Sequence, residues 1–314
     1  MRLEQLRSVL GDRLLLDEPL ARHTTFGIGG PADGFAVAGS AAELREYVRL
    51  AWSEQIPYLV IGAGANVLVS DKGVRGLVFQ NQASAVEFAP EPAGHEAALG
   101  PLWLVEAESG AALRQVARLA IERGLAGLEW AVDVPGTVGG AVVGNAGAFG
   151  GYVSDNLRGA EILVPGEEER WRITSELQLT YRSSVFKQSV RNPGFAPVIV
   201  SATFALRPGD PAVLRDKATE YSRRRAETQP QGLSAGSVFK RTAQYPAGFL
   251  IENADLKGAR VGGAYVSPTH ANFVINDGTA TASDVLQLIE HVRSTVNAKF
   301  KVMLDLELDL VGEW

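Results

Sequence analysis

The chain has no cysteine among its 314 residues, which excludes disulfides, thiolate metal sites and cysteine nucleophiles. Its four histidines, His23, His95, His270 and His291, are scattered without metal-ligand spacing, so no metal site is expected. No apolar run approaches the ~20 residues of a membrane span. Residues Met1 to Arg7 contain no apolar signal-peptide core, so a cytoplasmic protein without membrane insertion is expected. Basic residues number 30 against 36 acidic ones, which leaves no electrostatic footprint for nucleic acid. The remainder, 46% hydrophobic and 21% charged, fits a globular chain of one large or two to three smaller domains.

Glycine is where the sequence is rich. The stretch from Leu128 to Gly151, LEWAVDVPGTVGGAVVGNAGAFGG, holds seven glycines, one proline and almost no charge. Glycine interrupts both helix and strand, so neither is expected here. A flexible linker is equally unsuited to Val134, Val138, Val142, Val143 and Phe149, which favour burial. A buried loop system remains. Either its backbone N–H groups line an anion-binding concavity, or its glycines serve close core packing. A second glycine turn follows the apolar strand Tyr58 to Ile61, as Gly62-Ala-Gly64-Ala-Asn66. Its context differs from a dinucleotide fingerprint: Val67 occupies the third glycine position and no helix follows. The spacing predicts strand, turn and strand over residues 58–69, with the turn meeting phosphate.

Three segments occur in order: His23-Thr-Thr-Phe-Gly-Ile-Gly-Gly30, Ile61-Gly-Ala-Gly-Ala-Asn-Val-Leu68, and Pro135-Gly-Thr-Val-Gly-Gly-Ala141 with Asn145-Ala-Gly-Ala148. Together they resemble the FAD-binding half of the UDP-N-acetylenolpyruvoylglucosamine reductases. The resemblance continues through Tyr181-Arg-x-Ser184, Gly236-Ser-Val-Phe-Lys240 and Leu306-Glu-Leu-x-Leu-Val-Gly312, and so spans essentially the whole chain. It implies an α+β fold: a two-part FAD-binding region of vanillyl-alcohol-oxidase (PCMH-like) type, then a C-terminal α+β substrate domain. It also implies noncovalent FAD, NADPH as hydride donor, and a UDP-sugar enolpyruvyl ether as substrate, reduced to UDP-N-acetylmuramate. The shorter sequence class of the family is implied, because no tyrosine-bearing substrate-cover loop is found.

Local signals divide the chain. Ser40-x-x-Glu43 is a capping box opening a helix with Leu44, Tyr47, Val48 and Ala51 on one face. Residues 83–100 read as short strands and turns. A second helix is expected over about 111–123, stopped by Gly124. Residues 197–206 read as a strand. The composition shifts at Arg207-Pro-Gly-Asp-Pro211. The expected division is 1–82 and 83–207 for the two FAD-binding parts and 208–314 for the substrate-binding part. A charged helix over about 211–227 carries Arg223-Arg-Arg225, either a solvated face or a diphosphate contact. A last helix opens at Thr281, and residues 304–311, LDLELDLV, alternate as a strand, with its return to the FAD-binding part left open.

Several residues could carry chemistry. Gly232-Leu-Ser234-Ala-Gly236 fits a hydrolase nucleophile elbow, but that motif needs a strand before it and a helix after it. The resemblance points instead to Ser237 as proton donor, with Arg182 and Glu307 as its catalytic partners. On the residues alone, Ser237 could equally satisfy loop backbone and Arg182 could lie in a polar surface turn. Glu307 shares a strand face with Asp305 and Asp309, so a solvated face is the alternative. The resemblance assigns cofactor contacts to Gly62, Gly64, Ala65, Asn66, Val67, Leu68, Pro135, Gly136, Thr137, Gly139, Gly140, Asn145, Gly147 and Ala148. It assigns substrate contacts to Tyr181, Gln229, Lys240 and His270. Three positions depart from the pattern, Gly27, Asp133 and Asp309, and Asp309 is left outside the expected site. A FAD-dependent oxidase on the same fold, a serine hydrolase using Ser234 and a UDP-sugar binding protein are the other readings.

Overall fold

A computed structural model describes residues 2–91, 101–187 and 194–314. His95 and residues 92–100 of the segment read as short strands and turns lie outside the described residues; Val86–Pro90, at its start, is a strand.

The first part is a four-stranded sheet. Leu15–Pro19 runs antiparallel to Pro31–Ala38, which pairs in parallel with Val74–Asn81, which pairs in parallel with Tyr58–Ile61. The helix Ala41–Ser53 covers it. Its start follows from the capping signal: Glu43 N donates to Ser40 Oγ at 3.2 Å, and Gly39 N donates to Glu43 Oε2 at 2.8 Å. The residues expected on its inner face, Leu44, Tyr47, Val48 and Ala51, are fully buried against Leu77 and Phe79.

The second part is a larger antiparallel sheet in the order Arg170–Ile173, Leu157–Leu163, Val198–Pro208, Trp103–Glu108, Val86–Pro90. The helix Leu113–Glu122 packs on it through Leu113, Val116, Ala117 and Ala120. Val198 and Val200 of its long strand also enter the core beneath the first helix, so the two parts share apolar contact.

The expectation that residues 128–151 hold no helix is corrected. Val138–Val143 forms a short α-helix, with Thr137 as its N-cap. Glycine is tolerated there because a Cβ on Gly139 would come 2.9 Å from Ser109 Cβ. Close approach of the helix to the sheet at Gly139 outweighs the roughly 1 kcal/mol propensity cost of that glycine.

After the helix Pro211–Thr228, residues Arg260–Val261, Ala264–Val266 and Val274–Asn276 form a small antiparallel sheet. The helix Ala282–Phe300 packs on it through Val285, Leu288, Ile289, Val292 and Val296. Phe26, Ile28 and Leu68 of the first part enter this same core. The final segment then returns: Asp309–Val311 pairs in parallel with Val67–Val69. The regular strand is shorter than the alternation over 304–311 predicts. Leu306 makes only an isolated bridge to Phe239, because this stretch leans on the serine loop and not on a sheet.

Candidate active site

The three parts meet around a cavity of about 510 Å³, within the range of small-molecule and cofactor sites. Its walls come from the turn 62–67, the loop and helix 134–148, the segment 182–187, the serine loop at Ala235–Ser237, and the returning strand at Glu307 and Asp309.

The turn after Tyr58–Ile61 is set by one residue. Gly64 has φ +61°, and a Cβ there would come 2.3 Å from His23 O, so only glycine closes this turn. The N–H groups of Ala63, Gly64 and Ala65 donate to no acceptor among the described residues. They are an unfilled row of donors at the cavity wall, the chemistry an anionic group requires. The glycine-rich stretch adjoins this turn: a Cβ on Gly62 would come 2.3 Å from Thr137 Oγ1, and one on Gly136 3.8 Å from Ala65 Cβ. Val138 N and Gly139 N are already engaged, donating to Ala111 O and Ser109 O at 2.8 Å each. Two of its N–H groups are thus used in packing, whereas those of Gly136 and Thr137 donate to no acceptor among the described residues. A Cβ on Gly140 would meet nothing nearer than Thr137 Oγ1 at 3.7 Å. Unused N–H groups beside the bare surface of Gly140 fit a phosphate-bearing planar cofactor such as FAD.

Arg182, Ser237 and Glu307 all line this cavity. Arg182 sits in a tight turn closed by Thr180 N donating to Ser183 O at 3.1 Å and Ser183 N donating to Thr180 O at 3.2 Å. Its φ of +53° is an uncommon conformation for a residue with a side chain, of the kind found where geometry is imposed by a site. Its Nε lies 2.6 Å from Glu307 Oε1, and its Nη2 donates to Gly147 O at 2.9 Å. Among the described residues no acceptor meets Nη1 or the second hydrogen of Nη2, which leaves them for another partner. Burial raises the Glu307 carboxyl above its ordinary range; the positive charges of Arg182, Lys187 and Lys240 oppose this without cancelling it.

Ser237 follows Gly236, whose φ is +75°. Val238 N donates to Asn272 O, and Glu307 N donates to Val238 O, both at 2.9 Å, so the serine loop is fastened directly to the backbone of Glu307. Ser234 stands in the same loop, its carbonyl accepting from Thr25 Oγ1 at 2.8 Å. No strand leads into it and no helix follows, so the nucleophile-elbow reading is not supported.

The other expected residues divide. Gly62, Gly64, Ala65, Asn66, Val67, Pro135, Gly136, Thr137, Gly139, Gly140, Gly147, Ala148 and Gln229 line the cavity. Leu68 does not; it is fully buried in the C-terminal core. Asn145 stands behind the wall, donating from Nδ2 to Thr180 O and accepting from Ser154 N at Oδ1, both at 3.0 Å. Tyr181 and Lys240 lie outside the lining; Arg241 N donates to the Tyr181 hydroxyl at 3.3 Å. His270 is turned into its own loop, its Nδ1 accepting from Asn272 N at 3.2 Å, and burial lowers its pKa.

Lys187, Arg225 and Asp309 are charged lining residues outside the expected site, although a diphosphate contact is one reading of the arginine run. The arginine run splits: Arg223 and Arg224 pair with Glu220 on the helix surface, whereas Arg225 enters the cavity wall. Asp309 is buried and pairs with Lys187, so the polar face expected to be solvated closes around an ion pair. Asp305 alone on that face is exposed.

The profile of the FAD binding domain matches residues 32–171, and that of the UDP-N-acetylenolpyruvoylglucosamine reductase C-terminal domain matches 229–311. The UDP-N-acetylenolpyruvoylglucosamine reductase of Alkaliphilus oremlandii is 39% identical over 305 residues, covering 96% of this chain and 94% of that protein. The reductase of the same name from Agathobacter rectalis is 42% identical over 304 residues, covering 96% and 95%. The crystal structure of the UDP-N-acetylenolpyruvylglucosamine reductase of Thermus caldophilus superimposes with a TM-score of 0.75 at 30% identity, covering 95% of this chain and 98% of that one.

Proposed function

The chain belongs to the UDP-N-acetylenolpyruvoylglucosamine reductase family, and from this we propose that it reduces the enolpyruvyl group of UDP-N-acetylglucosamine enolpyruvate with NADPH, giving UDP-N-acetylmuramate for peptidoglycan precursor synthesis. The observation that carries the reading is the convergence, on one cavity, of a donor-lined glycine turn with Arg182, Glu307 and Ser237.

In this proposal FAD is held noncovalently by the turn 62–67 and the loop 135–148, and when bound it supplies hydride chemistry between NADPH and the C3 carbon of the enolpyruvyl group. The residues of the chain do the rest. The free edge of Arg182 takes the enolpyruvyl carboxylate, for which a guanidinium is the matching fork. It also stabilises negative charge as it develops beside that carboxylate. Glu307 holds the guanidinium in place. Ser237 delivers a proton at C2; a neutral hydroxyl can lie against carbon without the desolvation cost of a charged acid. Gln229, Tyr181, Lys240 and His270 are proposed for the remainder of the substrate, with Tyr181 and Lys240 at the rim. The reading carries the division into 1–82, 83–207 and 208–314, with the helix Pro211–Thr228 at the seam, and a cytoplasmic site of action. No helix among the described residues is long and apolar enough to cross a membrane.

Absorption spectroscopy tests this directly. The purified protein loaded with FAD should show a flavin spectrum, bleach with NADPH, and regain colour on adding the enolpyruvyl substrate while UDP-N-acetylmuramate appears by mass spectrometry. A protein that takes up no FAD, or that regains colour only with oxygen, would sink the reading; the second outcome would mark an oxidase.

A further inference from the structure

Two ion pairs bridge the same two segments of chain. Arg182 reaches Glu307, and five residues along, Lys187 reaches Asp309, two residues beyond Glu307. Glu307 and Asp309 stand two residues apart on the returning segment, and both line the cavity with their partners. The second pair is the more enclosed, with Lys187 and Asp309 side chains 10% and 7% exposed and Nζ to Oδ2 at 2.5 Å.

Asn66 joins the two pairs. Its Nδ2 donates to Glu307 O at 3.0 Å and to Asp309 Oδ2 at 3.3 Å, and its carbonyl accepts from Asp309 N at 3.0 Å. The returning segment is thus tied through one asparagine to the glycine turn, and through Lys187 to the segment that displays Arg182. A buried ion pair is weak evidence for stability, because desolvation offsets much of the attraction. Its placement beside a second pair therefore asks for another explanation.

We propose that Lys187 and Asp309 are positioning residues for the reaction, a buried charge pair that fixes Glu307 against Arg182 and governs the field at its carboxyl group. This rests on the reductase reading above. The charged groups acting on the Glu307 carboxyl are Arg182 and Lys187 from the segment 180–187 and Lys240 from the serine loop, and Asp309, two residues along, is paired to Lys187; Asp305 on the same segment is exposed. Lys187 opposes the effect of burial on Glu307, and Asp309 neutralises Lys187. The two partners therefore act on Glu307 with opposite sign, whereas a purely structural pair would produce losses of the same kind from either side.

The test compares Lys187→Met, Lys187→Arg and Asp309→Asn in the FAD-loaded full chain. The pH dependence of kcat/KM is measured with NADPH and UDP-N-acetylglucosamine enolpyruvate. Independently of turnover, the Glu307 carboxyl is titrated by NMR in protein carrying ¹³C-carboxyl glutamate, its signal identified by its loss in Glu307→Gln. Removing the lysine charge should move the Glu307 titration and the acid limb up by about one pH unit, the low end of what a close charge does. Asp309→Asn should move both down, and Lys187→Arg should match wild type. Shifts of the same sign, or none, overturn the proposal. If one single variant fails to fold, the sign of the other decides. Wild-type protein without NADPH-driven turnover would overturn the reductase reading, while the carboxyl titration still decides the pair.

Discussion

At the scale of the residue, the site separates groups that act on substrate from groups that hold others in place. Ser237 belongs with the first in the proposed reaction, and its substitution should divide the two halves of the catalytic cycle. Bleaching by NADPH requires no proton from it, so Ser237→Ala should bleach at close to the wild-type rate. Recovery of colour with the enolpyruvyl substrate should slow by ~10²-fold or more, the usual size of a lost general acid. Stopped-flow absorbance resolves both phases; equal recovery in variant and wild type would assign Ser237 to loop structure alone. Glu307 gives a second prediction, of stability. Burial raises its carboxyl more than Arg182, Lys187 and Lys240 lower it. The folded chain binds that proton more tightly than the unfolded chain, so the contribution is full below the unfolded value of about 4.3 and is lost as pH rises through the raised folded value. Denaturant titrations of wild type and Glu307→Gln at pH 4 and pH 7.5 should therefore show wild type losing ground to the variant at the higher pH. A difference that stays constant with pH would mean that the folded chain leaves this carboxyl where water does.

At the scale of the element, the short helix Val138–Val143 presents Gly140 to open space. A valine there fits helix propensity at least as well as glycine, and its Cβ would meet nothing closer than Thr137 Oγ1 at 3.7 Å. Gly140→Val should accordingly fold with unchanged circular dichroism and yet lose most of its FAD, read as the flavin-to-protein absorbance ratio; full flavin content would place the cofactor elsewhere. This helix also marks where the sequence is hard to read. The helices Ala41–Ser53 and Ala282–Phe300 are legible because a side-chain cap and a 3–4 apolar spacing are local signals. Gly139 and Gly140 argue against a helix locally; the distant approach of Ser109 accounts for Gly139, whereas Gly140 faces the cavity. The same distinction runs through the site. The glycine turn at Gly64, Arg182, Ser237 and Glu307 stand in recognisable strings. Lys187 and Asp309 are 122 residues apart and meet only because the last strand returns to Val67–Val69, so neither announces the other. Arg223, Arg224 and Arg225 look alike in sequence; the helical turn angle alone sends the third inward.

At the scale of the whole molecule, the parts are interlocked. Phe26, Ile28 and Leu68 fill the C-terminal core, and Asp71 accepts from Ala282 N at 2.7 Å and Ser283 N at 2.9 Å, capping the last helix from the first part. Such shared elements favour unfolding in one step. Adding FAD should raise a single calorimetric transition, by an amount that grows with the logarithm of its concentration. Two transitions, only one of them moving, would contradict the interlock. The parallel pairing of Asp309–Val311 with Val67–Val69 has a consequence in time as well as in space. A ribosome adding roughly 5–20 residues per second releases the early strand on the order of 10–50 s before its partner exists. Through that interval Asn66 lacks the carboxylate and the carbonyl it later binds, and Lys187 has no counter-charge. The nascent chain should therefore be unable to retain FAD until the strand Asp309–Val311 has emerged; ribosome-bound chains ending before residue 309, or carried past residue 311 by a linker long enough to clear the ribosome, assayed for flavin fluorescence, would show whether the order holds.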